Sequence, residues 1–353
     1  MTEHAANLDI HGATTSDTQE RIMLAHGGGG ELTDRLIQQH FVTALGNDTL
    51  NALGDGALLG RRSGTLVMTT DSFVVQPLEF PGGDIGRLAV CGTVNDLAMM
   101  GAQPIGLSLG MIIQEGLPLA LLDRVVASIA ATAKEAGTCI VTGDTKVIER
   151  RGDGEELLIN TAGIGEQADG IRLDVKRIEP GDVILINGPI AEHGLAILSK
   201  REGLQFASAL VSDVAPLNGL TAALLASGAD IKFLRDPTRG GVAGVLADIS
   251  RDAGVSVEID EAAIPLSRTA RHAAEMLGLD PLTIANEGKI VAVVRGADAE
   301  TVLNACRNHP LGTAAAIVGR VTDAQPPLVE LLTTAGGRRV VQKPYGEELP
   351  RIC

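Results

Sequence analysis

The sequence predicts a two-domain α/β protein, and three observations lead to this fold class. Runs rich in β-branched residues alternate with longer stretches in which apolar residues recur at helical spacing. Charged and turn-forming residues between positions 167 and 181, ending in Pro180-Gly181, interrupt this alternation. The chain has 353 residues, of which 45% are hydrophobic, so it can bury two substantial cores.

The first predicted domain spans residues 21–168 and follows a polar stretch, residues 1–20, that we expect to be a mobile arm. Its elements are predicted from apolar periodicity and from β-branched content. Helices are predicted over residues 31–45, 85–100 and 118–136. Strands are predicted over residues 65–77, 104–114, 138–149 and 156–166.

The second predicted domain spans residues 178–334. Helices are predicted over residues 193–201 and 216–226, with a third after the turn at 235–241. Strands are predicted over residues 182–189, 255–259, 289–294, 314–321 and 328–332. Residues 335–353 show little core-forming pattern, so we expect a flexible tail there.

Composition and charge exclude several classes of function. The chain carries 29 Lys and Arg against 44 Asp and Glu, a formal charge of −15, and only 2% of its residues are aromatic. This balance argues against nucleic-acid binding, which needs clustered cations and stacking rings. The most apolar stretch, around 117–133, is interrupted by Asp123 and Arg124, and the amino terminus lacks a signal-peptide pattern. We therefore expect a cytoplasmic protein with no membrane contact.

Carboxylates at glycine-flanked turns are the first candidates for chemistry. They belong to Asp55, Asp71, Asp96, Asp144 and, in the second domain, Asp236. Hard oxygen ligands from several loops suit a Mg²⁺ ion that also binds nucleotide phosphates. Alternatively, each aspartate caps its own turn.

A glycine run, Gly27 to Gly30, precedes the first predicted helix and offers backbone amides to a polyphosphate. The run matches neither common phosphate-binding glycine motif, so a flexible connector is the alternative. His26, next to the run, is a phosphate contact or an ordinary loop histidine.

Three further side chains are candidates for charge and proton transfer. Lys146 follows Asp144 closely and offers a cation to a phosphate, or is an ordinary surface lysine. Glu287 precedes an apolar strand, where burial would raise its pKa, unless it simply pairs with Lys289. His193 is either a residue of the domain groove or only the start of a helix.

Cys353, the last residue, ends a polar segment of roughly 21 residues that would reach roughly 70 Å when extended. A thiol on such an arm can visit two sites, and a nearby cation such as Arg351 would favour the nucleophilic thiolate. An accidental free thiol is the alternative. The other cysteines are far apart in sequence, which indicates neither a disulfide framework nor a closed zinc site.

With these motifs assembled, the sequence resembles the hydrogenase-maturation carbamoyl dehydratases, the HypE family of the aminoimidazole ribonucleotide synthetase-like ATP-binding superfamily. The resemblance runs from Ile22 to Cys353. The motifs that carry it are HGGGG, NDLAMMGAQP, TGDTKV, EHG, RDPTRGG, NEGK and the terminal PRIC. Most of them indicate the superfamily, whereas PRIC singles out this family.

The resemblance implies a fold, a site and partners. It implies strands of the first domain pairing across a homodimer, and an ATP groove between the two domains. The residues it implies for ATP and Mg²⁺ are Gly27, Gly28, Gly29, Gly30, Asp55, Thr70, Asp71, Asn95, Asp96, Asp144 and Asp236. It further implies that Cys353 accepts a carbamoyl group from the carbamoyltransferase HypF and that ATP drives its dehydration to a thiocyanate. The cyanide would then pass to the HypC–HypD iron-carrying complex, with Lys146 and Glu287 as candidates for the charge and proton steps.

Two other classes of function stay open at this point. An enzyme of the same superfamily could phosphorylate a free small molecule, but it would have no use for a terminal thiol. A non-enzymatic carrier would present Cys353 to partners without depending on nucleotide.

Overall fold

Two β-sheets organise the chain, as the computed structural model shows for residues 20–150, 152, 156–204, 210–346, 349 and 351–352. Each sheet carries helices, and each has its own hydrophobic core, which confirms the predicted two-part α/β fold class. The predicted mobile arm lies outside the described residues, apart from position 20. So does Cys353.

The first module holds a four-stranded sheet in the order β1-β6-β4-β5, together with a short β2–β3 ribbon. Its strands are β1 (Thr65–Phe73), β2 (Glu79–Phe80), β3 (Gly83–Asp84), β4 (Ala102–Gln114), β5 (Ile140–Ile148) and β6 (Leu157–Gln167). Its helices are α1 (Glu31–Leu36), a π-helical turn (Ile37–Val42), α2 (Thr43–Leu45), α3 (Ile85–Met99) and α4 (Leu119–Glu135). Only β4 and β5 are parallel, and α4 forms the crossover between them.

One face of this sheet is covered and the other is bare. Along β1, odd-numbered residues such as Phe73 pack toward α3, whereas even-numbered residues point outward because side chains alternate along a strand. The outward face carries Leu66, Met68 and Ile112, which are 58%, 71% and 42% exposed. A bare apolar sheet face of this kind marks an interaction surface.

The second module holds a seven-stranded mixed sheet in the order β13-β12-β9-β11-β7-β10-β8. Its strands are β7 (Val183–Ile186), β8 (Ile231–Arg235), β9 (Ser256–Asp260), β10 (Val291–Val294), β11 (Ala316–Thr322), β12 (Val329–Leu332) and β13 (Arg338–Val341). Its helices are α5 (Glu192–Arg201), α6 (Asn218–Leu225), α7 (Gly241–Ala253), α8 (Arg268–Leu277) and α9 (Ala299–Arg307). Every residue of β10 is buried, as expected for a central strand covered on both faces.

The predicted flexible tail is shorter than the sequence indicated. Strand β13 pairs antiparallel with β12 through a turn in which Gly336 takes φ 82°, a backbone conformation that favours glycine. Val341 is buried in the second core, and the Lys343 ammonium lies 2.9 Å from the Asp248 carboxylate. The structure thus differs from the predicted tail at residues 338–343, because pairing with β12, burial of Val341 and the Lys343–Asp248 ion pair hold them.

The two modules share a buried interface at α3. Both amide hydrogens of Asn95 are donated across it, to the carbonyl oxygens of Ala215 (3.1 Å) and Glu287 (3.2 Å). Its side-chain oxygen accepts the backbone N–H of Leu217 at 2.7 Å. We predicted that Asn95 contacts ATP, but its side-chain amide joins the two modules instead. In this structure both of its amide hydrogens are already donated, so none is left for a nucleotide.

None of the helices formed by the described residues has the length and apolar content that crossing a membrane requires.

Candidate active site

A small cavity between the modules brings four carboxyl groups together. Asp71 comes from β1, Asp96 from α3, Asp236 from the loop after β8 and Glu287 from the loop before β10. The cavity measures about 30 Å³, and Arg239 is the cation on its wall. Sequence analysis had singled out all four acids, and the fold places them in one site.

Local packing aims these side chains into the cavity. The Thr69 hydroxyl donates to the Asp96 carboxylate at 2.7 Å, and the Ser72 backbone N–H donates to Asp71 at 2.8 Å. Strand β1 approaches α3 closely because position 92 is glycine: a Cβ there would stand 2.8 Å from the Phe73 ring. The aspartates on β1 and α3 therefore face the same space.

The cluster is electrostatically strained. Burial raises the pKa of both Asp71 and Asp96, and the negative charge of Asp71 adds to the rise at Asp96. The pKa of Asp236 is raised to about 7, first by burial and then by the nearby Asp96. Burial also raises the pKa of Glu287 well above its ordinary value, with Asp236 as the next cause. Such a group of carboxyls gains stability from a proton or a cation.

Hydrogen bonds hold the backbone of Glu287, and its side chain lines the carboxylate cavity. Asp213 accepts the backbone N–H groups of Glu287 and Gly288, each at 3.2 Å, and its carboxylate pairs with Lys289 at 2.8 Å. Although burial opposes it, the Lys289 ammonium holds the pKa of Asp213 below its ordinary range. The alternative that Glu287 pairs with Lys289 therefore fails. Within the described part of the chain, Oε1 of the buried Glu287 has no hydrogen-bond partner.

The end of the chain lies in the adjoining groove. Ile352 is 5% exposed and packs in the first core, and Nε2 of His193 lies 2.7 Å from its carbonyl oxygen. A cavity of about 340 Å³ beside it is lined by Ile352, Leu349 and Arg239, and Arg239 also lines the carboxylate cavity. The described chain thus ends next to the acidic cluster. His193 contacts this end of the chain and is also the second residue of α5, so both interpretations of it hold.

A second, larger cavity lies at the opposite edge of the first sheet. It measures about 600 Å³ and is bordered by α1 and the π-helical turn, by the segment 49–56 around Asp55, and by residues 142–145 of β5. Asp144 lines it, and glycines on both sides of Asp55 contribute to its wall. A cavity of this size accommodates a nucleotide-sized ligand.

The five predicted metal ligands fall into two groups. Asp144 pairs with Gly110 on the bare face of the sheet, whereas Asp71 points to the helix-covered face three strands away, about 14 Å at ordinary strand spacing. Among the residues that the structure describes, no three acidic, His or Cys side chains converge closely enough to hold a metal ion by themselves. Within one chain the five aspartates therefore do not share one site, and which of them would bind Mg²⁺ stays a prediction.

Lys146 and Thr70 also lie on the bare face. Side chains alternate along a strand, so Lys146 is on the same face of β5 as Asp144, and Thr70 is one of the outward-pointing residues of β1. Lys146 is exposed there and Glu287 is buried on the other side of the sheet, so one chain does not bring the two predicted proton-transfer residues together. Thr70 donates its hydroxyl to the carbonyl oxygen of Thr161 at 3.2 Å.

The glycine run is partly committed to the fold itself. A Cβ at Gly27 would lie 2.7 Å from the backbone nitrogen of Val147, so glycine is needed for the close approach to β5. The N–H of Gly28 donates to Ala25, and that of Gly29 donates to the Thr33 hydroxyl at 2.9 Å. His26 is nearly buried, and its Nδ1 accepts the Met23 N–H at 2.9 Å. These contacts favour the structural alternative for His26, Gly28 and Gly29.

The residues that hold the end of the chain and the loop of Glu287 were not predicted from the sequence. Ser212, Asp213, Arg201 and Gln76 all act through hydrogen bonds to backbone groups or to buried partners. Such contacts leave no local sequence signal, because a serine or arginine in a polar segment looks ordinary until the fold supplies its partner.

The fold and the site together define an AIR synthase related protein. The amino-terminal domain of that family matches residues 54–167, and its carboxy-terminal domain matches residues 179–329. A carbamoyl dehydratase HypE of Rhizobium leguminosarum bv. viciae is 49% identical over 334 residues, which cover 94% of this chain and 95% of that protein. The chain belongs to the HypE family of carbamoyl dehydratases.

Solved structures of the same family agree with this assignment. A crystal structure of hydrogenase maturation protein HypE in complex with ATP superposes with a TM-score of 0.89 at 44% identity, covering 94% of this chain and 99% of that one. A HypE–HypF complex contains a chain with a TM-score of 0.76 at 48% identity, covering 88% of this chain and 99% of that one.

Proposed function

We propose that this protein is an ATP-dependent carbamoyl dehydratase of hydrogenase maturation, which converts a carbamoyl group on the Cys353 sulfur into a thiocyanate. One observation carries the assignment of the sulfur: the chain is anchored through Ile352 beside the carboxylate cavity, one residue before Cys353. Consecutive Cα atoms are about 3.8 Å apart, so a thiol on the residue after Ile352 is tethered close to the groove that holds Ile352.

Binding of ATP is supported by the relative solved with this nucleotide and by the cavity of about 600 Å³. Mg²⁺ fits the acidic residues, because Asp71, Asp96 and Asp236 are hard oxygen donors whose burial and mutual repulsion favour a cation. The ion keeps part of its shell for phosphate and water, so one or two protein carboxylates suffice. When bound, Mg-ATP supplies the phosphoryl group that makes the carboxamide oxygen a leaving group.

The chemistry then needs a base at the carboxamide nitrogen. Phosphorylation of the oxygen and loss of one N–H proton give an imidate phosphate; loss of the second proton with phosphate leaves the nitrile. Glu287 is suited to take a proton, because burial raises its pKa and makes the carboxylate a stronger base, and Oε1 has no other partner among the described residues. Burial between the modules also limits access of water.

Homodimerisation would complete the site. The bare face of the first sheet exposes the apolar side chains of Leu66 and Met68 on the edge strand β1 and of Ile112 on β4, and a second copy of this chain would cover them. Lys146, Thr70 and Asp144 share that face, so we assign them to the nucleotide side of a site completed by the dimer.

The proposed chemistry implies two partners, one that supplies the carbamoyl group and one that accepts the cyanide. The solved HypE–HypF complex supports HypF as the source of the carbamoyl group, and the thiocyanate would be handed to the HypC–HypD complex. Because Lys343 is anchored to Asp248, about ten residues, 344–353, remain to reach either partner, which is at most about 36 Å.

Mass spectrometry of the intact chain tests the proposal. After incubation with the transferase, carbamoyl phosphate and ATP, the wild-type chain should gain first a carbamoyl and then a cyano adduct. Cys353→Ala should gain neither, whereas Cys139→Ala, the matched control at another thiol, should behave as wild type. Glu287→Gln should accumulate the carbamoyl adduct. Adducts on Cys353→Ala, or normal cyano formation by Glu287→Gln, would refute the respective assignment.

A further inference from the structure

The groove that receives the end of the chain holds two of its backbone carbonyl groups, and the Arg351 guanidinium adds a hydrogen bond to Oε1 of Gln76 at 3.2 Å and an ion pair with Glu156 at 3.7 Å. The carbonyl oxygen of Arg351 accepts a guanidinium N–H of Arg201 at 2.7 Å and the backbone N–H of Gln76 at 3.1 Å. The carbonyl oxygen of Ile352 faces Nε2 of His193 at 2.7 Å. Only the Ile352 side chain is also buried. None of these contacts depends on what the next residue carries on its sulfur.

A hydrogen-bond chain fixes which nitrogen of His193 carries the proton. A carbonyl oxygen can only accept, so Nε2 must be the donor to Ile352. In the neutral ring Nδ1 is then an acceptor, and the Ser212 hydroxyl, 2.8 Å away, donates to it. The Ser212 oxygen in turn accepts the N–H of Val214 at 3.1 Å. Every link therefore points from Val214 toward Ile352.

The surroundings keep His193 neutral and its ring in place. The side chain is fully buried, and this burial lowers its pKa even though Asp213 opposes the effect. The Phe80 ring stands edge-on to the imidazole, with centroids 5.6 Å apart and planes at 88°. The ring therefore offers one fixed N–H to the groove.

The held segment is also strained. Arg351 takes φ 55°, in the left-handed region that a side chain disfavours. Such a conformation persists when surrounding contacts determine it, and here two hydrogen bonds to the Arg351 carbonyl and one to the next carbonyl do so.

We infer that His193 is a positioning residue, whose Nε2–H fixes the Ile352 carbonyl and thereby restrains the peptide that leads to Cys353. The Ile352 carbonyl belongs to the planar peptide that joins Ile352 to Cys353, so holding its oxygen orients the nitrogen and Cα of the last residue. Orientation of this kind raises the rate of a reaction between groups on one chain. The inference rests on the proposed function, because it assumes that Cys353 carries the reacting group.

A matched pair of variants separates this role from a merely structural one. In His193→Gln the side-chain amide nitrogen takes a position like that of Nε2 and can still donate to Ile352. In His193→Asn the amide is too short and corresponds to Nδ1. Both variants replace the same buried ring by an amide. Arg201→Ala removes the guanidinium hydrogen bonds to the carbonyl oxygens of Arg351 and Gln76, and Lys200→Ala on the same helix is its charge-matched control.

Trypsin measures docking without any enzyme assay. Cleavage after Arg351 releases the last two residues and needs an undocked segment, whereas Lys343 is followed by Pro344 and resists the protease. The cleavage rate reports the undocked population when docking equilibrates quickly. We expect cleavage to be roughly tenfold faster in His193→Asn, the effect of one lost buried hydrogen bond, and several-fold faster in Arg201→Ala. His193→Gln and Lys200→Ala should stay near wild type.

A single-turnover assay then tests positioning. Conversion of the carbamoyl adduct to the cyano adduct should slow by roughly tenfold in His193→Asn and recover in His193→Gln, while the carbamoyl adduct forms at the wild-type rate in both. Equal trypsin rates in the wild type, His193→Asn and Arg201→Ala would overturn the inference. Faster cleavage without slower conversion would also overturn it. If the wild type itself forms no cyano adduct, the proposed function fails, and the trypsin rates still decide whether His193 docks the segment.

Discussion

Replacing Asp236 by Asn should change stability in a pH-dependent way that reports the strain of the carboxylate cavity. The folded protein raises the pKa of Asp236 from 3.8 to about 7, so the ionised carboxyl disfavours folding. The penalty is absent below pH about 4, grows as the pH rises toward 7 and is complete above it. The shift corresponds to about 4 kcal/mol, and because part of the side chain borders the cavity we expect about half, or about 2 kcal/mol.

Thermal melting of the two proteins across pH measures this effect. Since the chain has two modules, we compare melting temperatures rather than a single unfolding free energy. At pH 8 without divalent cations, Asp236→Asn should melt roughly 4 °C above the wild type, and the gap should shrink toward pH 5. Mg²⁺ at pH 8 should raise the wild-type melting temperature more than that of the variant. A gap that is constant with pH, or that widens toward pH 5, would refute the electrostatic reasoning.

Two further predictions concern packing and assembly. Gly27→Ala should lower the melting temperature, because the added Cβ would overpack against Val147 at a cost of about 1–3 kcal/mol. Gly28→Ala is the control: its added Cβ would meet its nearest atom at 3.5 Å, so the melting temperature should hardly change. Met68→Glu on the bare sheet face should convert the protein to a monomer in sedimentation velocity. Met276→Glu is the control, at a residue of α8 that is 73% exposed, and should not change the assembly. A dimeric Met68→Glu protein would show that the bare face is not the dimer interface.

Periodicity along the chain predicted most of the elements that build the fold. Helix α3 and strand β6 lie within about one residue of their predicted bounds, because a long apolar period constrains an element strongly. The prediction missed helices α8 and α9 and the strands β2, β3, β8 and β13. Charged residues interrupt the apolar pattern in β8 (IKFLR) and in α8 (RTARHAAEML), so neither shows the run on which periodicity depends.

The residues of the candidate site were also predictable from the sequence only in part. Glycine-flanked carboxylates such as Asp71 and Asp236 stand out in the sequence because a charge beside an apolar run is unusual. Asn95 stands in an equally distinctive motif, yet its amide joins the two modules. A motif predicts that a side chain matters and does not reveal whether its partner is a ligand or the protein's own backbone.

The freedom of Glu287 depends on two residues that perform no chemistry. Asn95 of the first module holds the Glu287 carbonyl, and Asp213 of the second holds its N–H and neutralises Lys289. With its backbone held from both modules and Lys289 already paired with Asp213, the buried Glu287 side chain has Arg239 as its nearby cation, and burial and the neighbouring carboxyls outweigh the effect of Arg239 on its pKa. A carboxyl in that situation has a high affinity for a proton. The interface between the modules therefore does more than enclose the site. It also raises the pKa of Glu287, the carboxylate that the proposed dehydration uses as a base.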